Sequence, residues 1–138
     1  MKTNTHTASL LLDVGKIIKS KMEKELPVSL TQSETMRFLD QEKKSTMRAL
    51  AKHLKITAPS TTAIVNELVT EKLVAREENK KDRREVLLHL TPHGKKVLQT
   101  ITTKRQKIVT SVLSVLGEHD RQALDKILMK IITDTHTR

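Results

Sequence analysis

The chain contains no cysteine, tryptophan or tyrosine, a single phenylalanine, and only three glycines and three prolines among 138 residues. Without thiols it can form no disulfide, no thiolate metal site and no thiol redox switch. With almost no aromatic rings it lacks the stacking platforms on which single-strand and RNA-binding modules rely. So few glycines make phosphate-cradling loops improbable, and no Walker loop, Gly-rich dinucleotide turn or His-Glu-x-x-His sequence occurs. Catalytic residues and cofactors are therefore not expected. His6, His53, His89, His93, His119 and His136 lack close metal-ligand spacing, so no metal site is expected either. His53 reads as a helix-surface residue and His89 as a strand residue. No apolar run approaches the roughly 20 residues needed to span a bilayer. Met1 to Ser9 is polar and Thr-rich rather than a signal segment, and a cytoplasmic location is expected.

What the chain does have is positive charge. Lys and Arg number 26 against 16 Asp and Glu, giving a net charge of +10 and a pI near 10.0. Such a balance favours an acidic partner, either nucleic acid or an anionic membrane surface. The sequence has no strongly basic amphipathic helix to lie on a membrane, and the scarcity of aromatics leaves double-stranded DNA as the better match. The length suits one domain, or a small domain with helical extensions.

Apolar spacing predicts a mainly α fold with a small β-hairpin. Leu10, Leu11, Val14, Ile17, Ile18 and Met22 place a helix over about residues 8 to 25, ahead of Pro27. Thr31 to Glu34 has the form of a capping box opening a second helix with Met36 and Leu39. Ser45 or Thr46 caps a short helix carrying Met47, Leu50, Ala51 and Leu54. Beyond a tight break at Lys55-Ile56, Thr57 caps the next helix, with Pro59 in its first turn. That helix turns Thr61, Ile64, Val65 and Leu68 inward and leaves Ser60, Thr62, Ala63 and Asn66 outward. This is a helix-turn-helix pattern.

Two alternating apolar runs follow, from Leu73 and from Val86, joined by Lys80-Lys81-Asp82-Arg83-Arg84, which sets four cations around one carboxylate. Asn79, Lys80 and Asp82 supply turn character, so the segment reads as a hairpin with a basic tip. Taken alone the tip could be a solvated charged loop. Behind a helix-turn-helix it completes a winged helix, whose helix suits a major groove and whose wing suits an adjacent minor groove. Thr91 then caps a long helix with Pro92 at its first position, running through Leu116 until Gly117 breaks it. A last helix spans Glu118 to about Thr133. These boundaries divide the chain into an N-terminal dimerisation helix (1–30), a winged helix-turn-helix DNA-binding domain (31–92) and C-terminal dimerisation helices (93–138). The first, fifth and sixth helices carry wide apolar stripes, which either bury against a second copy of the chain, giving a homodimer, or pack on the DNA-binding core.

The order of elements, together with Leu50-Ala51-Lys52-His53-Leu54, the run from Asn66 to Arg76, Asp82-Arg83-Arg84 and Leu90-Thr91-Pro92-His93-Gly94, is similar to the MarR family of bacterial transcription regulators. The resemblance covers essentially the whole chain. It implies a winged helix-turn-helix protein that binds a pseudo-palindromic duplex as a homodimer, acting as a repressor, with a small-molecule effector of unspecified chemistry as a further partner. It also implies that Asp82 and Arg84 form an Asp-x-Arg wing motif, the carboxylate orienting a guanidinium that enters the minor groove. Lys80, Lys81 and Arg83 are then expected on phosphates or in solvent.

Some positions depart from the family. Members often carry Arg where this chain has Ala63 and a basic residue where it has Glu67, which leaves base reading to Ser60, Thr62 and Asn66 and suggests an A·T-rich site. Lys72 stands where Gly is usual, requiring a left-handed lysine or a different helix end. Phosphate contacts are expected from Thr46, Arg48, Lys52 and Lys55 near the turn. An effector pocket between the dimer helices and the DNA-binding domain would be lined by Leu12, Ile17, Met22, Met36 and Met47, which equally read as core. The rival reading is a winged-helix protein-interaction module that modulates another regulator.

Overall fold

The computed structural model describes residues 2–136; Met1, Thr137 and Arg138, at the two ends of the expected outer segments, lie outside it. The order is α1 (Lys2–Glu25), α2 (Leu30–Glu42), β1 (Ser45–Thr46), α3 (Met47–Leu54), α4 (Ala58–Thr70), β2 (Val74–Glu78), β3 (Val86–Leu90), α5 (Pro92–Leu113) and α6 (Glu118–His136). The expected mainly α architecture with a hairpin wing is present.

The strands form an antiparallel sheet in the order β1-β3-β2. β2 and β3 pair from Val74 opposite Leu90 to Glu78 opposite Val86, as the alternating runs predict. β1 was not expected. It consists of Ser45 opposite Leu88 and Thr46 opposite Leu87, so its strand character comes from a partner far along the chain. Two-stranded hairpins are marginal in water; β1 and the helices below supply what the wing's base needs.

The second helix opens earlier than expected. Ser29, extended at φ −66 and ψ 163, is the N-cap. Its hydroxyl accepts from the Gln32 amide at 3.1 Å, while the Gln32 side chain accepts from the Ser29 amide at 2.9 Å. The capping box is thus Ser29 with Gln32, and the expected pairing of Thr31 with Glu34 does not form. Both quartets satisfy the same pattern; the earlier one lets Leu30 pack on the core and leaves Glu34 free for longer-range partners. Elsewhere, α1 begins at Lys2 rather than near residue 8, α6 runs to His136, and α5 stops at Leu113, short of Gly117.

Thr46, Thr57 and Thr91 cap α3, α4 and α5 as expected, each accepting from the amide three residues on. Lys72 adopts φ 62, the left-handed conformation that Gly takes at lower cost. Its amide donates to Val69 O at 2.9 Å and the Leu73 amide to Leu68 O at 2.9 Å, which closes α4. The Thr91 hydroxyl donates to Lys72 O at 2.6 Å, and the Thr91 amide to Leu73 O at 3.1 Å. A side chain on Gly94 would put its Cβ 2.0 Å from Leu73 O, so glycine is required there for α5 to meet the start of the wing.

The core gathers Met36, Leu39, Leu50, Val65, Leu68, Leu88 and Ile101, all fully buried, from α2, α3, α4, β3 and α5. α5 also buries Leu98 and Ile108 within the chain, and α1 buries Met22. The expectation for the outer helices is therefore divided. Leu10, Leu11, Leu12 and Ile17 of α1 are more than half exposed, and no residue of α6 is buried.

Candidate nucleic-acid interface

α3 and α4 are joined by Lys55, Ile56 and Thr57. Lys55 takes the left-handed conformation at φ 57 while its amide donates to Ala51 O, which turns the chain sharply enough to set α4 across α3. Thr57 accepts from the Ser60 amide at 3.2 Å and donates to Ser60 Oγ at 2.9 Å. Burial of Thr61, Val65 and Leu68 seats α4 on the core. Ser60, Thr62, Ala63 and Asn66 are all exposed on its other side, as the spacing predicts.

The polar groups on that exposed face are mostly engaged. Thr62 donates its hydroxyl to Ala58 O at 3.0 Å, leaving its methyl outward. Asn66 Oδ1 accepts from Arg76 Nη2 of β2. Glu67 accepts from Gln32 Nε2 of α2 at 2.6 Å. No Lys or Arg lies within α4 itself.

The wing presents the opposite character. Asn79 Oδ1 accepts from the Lys81 amide at 3.0 Å, and Asp82 Oδ1 accepts from the Arg84 amide at 3.1 Å, so two side chains shape the tip from within. The same Asp82 oxygen lies 3.4 Å from Arg84 Nε, while the Arg84 side chain is 92% exposed. Asp82 thus orients a guanidinium that otherwise faces solvent. Lys80, Lys81 and Arg83 are exposed too, with Arg83 Nε 3.6 Å from Glu78. Near the tip end of β2 Lys44 meets Glu77 at 2.5 Å, and this hydrogen bond holds the Glu77 carboxyl below its ordinary pKa. His89 is a strand residue, its Nδ1 3.6 Å from Glu77.

Of the expected phosphate contacts, Arg48, Lys52 and Lys55 are exposed. Thr46 is half-buried, its oxygen accepting from the Ala49 amide at 3.1 Å. His53 is more than a surface residue: its ring stacks on Phe38 with centroids 4.3 Å apart, and Nε2 lies 2.9 Å from Glu34 Oε1. Glu34 is also bound by Arg37 Nη2. Burial would raise the Glu34 pKa, but the hydrogen bonds from His53 and Arg37 prevail and hold it low.

Beside this cluster lies an open cavity of about 620 Å³, lined by Met22, Arg37, Thr102, Arg105, Gln106, Val109 and Thr110. Among the pocket residues expected from sequence only Met22 lines it. Met36 is wholly in the core, Met47 packs against that core, and Leu12 and Ile17 are exposed. Burial and the neighbouring Arg37 charge lower the Arg105 pKa. Arg37 Nε is buried without a hydrogen-bond partner. Two cations thus share a concave site, with Glu34 bonded to Arg37 and its charge partly offsetting the effect on Arg105. Arg76 and Arg105 carried no local sequence signal and Glu34 only a capping-box one, because each acquires its role from partners that local spacing does not show.

Among the described residues no group of three His, Asp or Glu could hold a metal ion, and no helix is long and apolar enough to cross a membrane.

Residues 26–85 match the family model described as MarR family. The HTH-type transcriptional regulator YpoP of Bacillus subtilis strain 168 is 30% identical over 99 residues, covering 70% of each chain. A crystallised mutant of MarR from E. coli superposes with a TM-score of 0.81 at 20% identity, covering 91% of this chain and 95% of that one. A mutant MarR complexed with operator DNA superposes at 0.64 and 17% identity, covering 95% and 94%.

Proposed function

Since the chain belongs to the MarR family of transcription regulators, we propose that it is a homodimeric repressor of a pseudo-palindromic duplex site, released by a small anionic effector. The observation that carries the DNA reading is the wing tip, where Asp82 orients an almost fully exposed Arg84 beside three further exposed cations. A guanidinium so held loses little entropy on entering a narrow minor groove, whose negative potential attracts it. The exposed face of α4 would meet the neighbouring major groove, with Arg48, Lys52 and Lys55 and the free amides at the starts of α3 and α4 on phosphates. That an E. coli MarR of the same fold is complexed with operator DNA supports the DNA-binding reading.

Dimerisation is supported by the apolar surface left uncovered on the outer helices. Leu10, Leu11 and Ile17 of α1 and Ile127, Met129 and Ile131 of α6 are each more than half exposed, an arrangement costly in water unless a second copy covers it. Two-fold symmetry would then set the recognition helices about one helical turn of DNA apart, roughly 34–36 Å. A cytoplasmic location follows from that role.

An effector is supported by the cavity between α1, α2 and α5. Arg37 and Arg105 face a space that an anion with an apolar body would fill, the charge on the guanidinium groups and the body on Met22 and Val109. Arg37 shares Glu34 with His53 of α3, so an anion drawing on Arg37 changes what holds the helix-turn-helix. An effector preferring a dimer with mismatched recognition helices would lower DNA affinity by shifting populations.

The rival reading, a protein-interaction module, is favoured by an α4 without cations and with Glu67 on its outer side. Selection of genomic DNA fragments by the purified protein at defined salt distinguishes the two. Enrichment of discrete palindromic fragments supports the regulator, and recovery no better than bulk DNA would sink it. For a dimer neutralising on the order of 8 phosphates, log affinity should fall with log salt at a slope of roughly −7.

A further inference from the structure

Arg76, on a wing strand, is bonded to an outward side chain of the cation-free recognition helix. Its Nη2 donates to Asn66 Oδ1. Both side chains are exposed, and among the described residues no carboxylate pairs with Arg76. The hydrogen bond fixes what each can offer. An amide presents an oxygen with two lone pairs and two N–H donors, and here Arg76 takes one of the lone pairs. A guanidinium has five N–H donors and no acceptor, so most remain available. The combined surface is rich in donors and carries one positive charge.

We infer that Asn66 and Arg76 act as one composite reader of a guanine in each half-site, with Arg76 supplying the cation that α4 lacks. This rests on the proposed DNA-binding role. The free asparagine expected from sequence would pair with adenine by accepting from N6 and donating to N7. With Oδ1 shared with a guanidinium, one lone pair is left for adenine's N6 amino group, and the positive charge beside it disfavours that donor. Guanine offers two acceptors, N7 and O6, on its major-groove edge, which a donor-rich cationic patch matches better than it does adenine or cytosine. Cytosine offers a donor there and is rejected for the same reason as adenine. The outward methyl of Thr62, one turn nearer the start of α4, suits a thymine methyl. The site is then not uniformly A·T-rich: a guanine lies opposite Asn66 and Arg76, and thymine is favoured nearer the N-terminus of α4.

Selection from randomised duplexes with the full-length protein tests this, followed by affinities for the best site and its single-base variants. Wild type should enrich guanine at one position per half-site, and replacing that guanine by adenine or 7-deazaguanine should weaken binding roughly tenfold to a hundredfold. Arg76→Ala and Asn66→Ala should lose that preference while other positions keep theirs. Asn66→Asp separates reading from anchoring. It retains a partner for Arg76, hence the link between wing and helix, but removes the amide donors and neutralises the charge, so it should melt like wild type and still lose the guanine preference. Uniformly weaker binding with unchanged preferences in these variants would mean that Arg76 meets a phosphate or only braces the wing, and would overturn the inference. Failure of wild type to select any sequence would instead remove the DNA-binding reading, and this inference with it.

Discussion

Two exposed surfaces of this chain differ in how their polar groups are satisfied. On α4 the outward groups are largely engaged within the protein: Thr62 with Ala58, Asn66 with Arg76, Glu67 with Gln32. On the wing tip the internal bonds shape the loop, and the cations are left facing solvent, Arg84 at 92% exposed. A helix that must seat one face on a core has its outer chemistry constrained by neighbouring elements. A hairpin tip beyond the core can gather like charges, since water screens them at little cost to stability. On the proposed DNA-binding reading, the contrast assigns most of the electrostatic attraction to the wing and a narrower reading role to α4.

The largest disturbance should come from the clasp beneath the wing. Gly94→Ala forces a Cβ against Leu73 O, which should cost about 3 kcal/mol and be seen as a lower urea midpoint with accompanying loss of DNA binding. If stability is unchanged, the approach of α5 to the wing's base is looser than described. Next comes Arg84→Ala, which should weaken DNA binding by about 2 kcal/mol per wing, in the range of a charge-assisted contact, without moving the melting temperature. Equal affinity for wild type and variant would reverse the assignment of roles to wing and helix. Replacing Lys80 and Lys81 together by Ala should make the salt slope shallower by about 3 to 4 in a dimer, near one for each phosphate that is no longer neutralised. A slope unaltered by that change would place both lysines in solvent. The smallest effect is expected from Lys72→Gly, which relieves the φ of 62 and should raise stability by about 0.5–1 kcal/mol, read by urea titration, with DNA preference retained.

Much of the fold was legible because it is written in local patterns. Thr57 with Pro59, and Thr91 with Pro92, announce helix starts by chemistry that acts within a few residues. The alternating runs around Lys80 to Arg84 specify a hairpin, whose register the fold sets. Where two local signals competed the reading failed: Ser29 with Gln32 and Thr31 with Glu34 both have capping-box form, and packing of Leu30 together with distant partners for Glu34 decided between them. The lining of the open cavity differs from the expected pocket lining for a related reason. Methionine marks an adaptable apolar side chain but not which face of the core it fills, and the cavity took its character from Arg37 and Arg105 instead.

The sequence by itself determined the charge, the absence of thiols and stacking rings, the succession of capped helices and the basic tip, because composition and contacts within a few residues need no knowledge of the fold. Tertiary structure alone decided the rest. It paired Ser45 with Leu88, drew Arg76 onto Asn66, placed Glu34 between Arg37 and His53, and left α6 and residues 4–17 of α1 uncovered. Each depends on elements distant in the chain meeting at a particular distance and angle. That meeting follows from burial of the whole core, and no local spacing of residues encodes it.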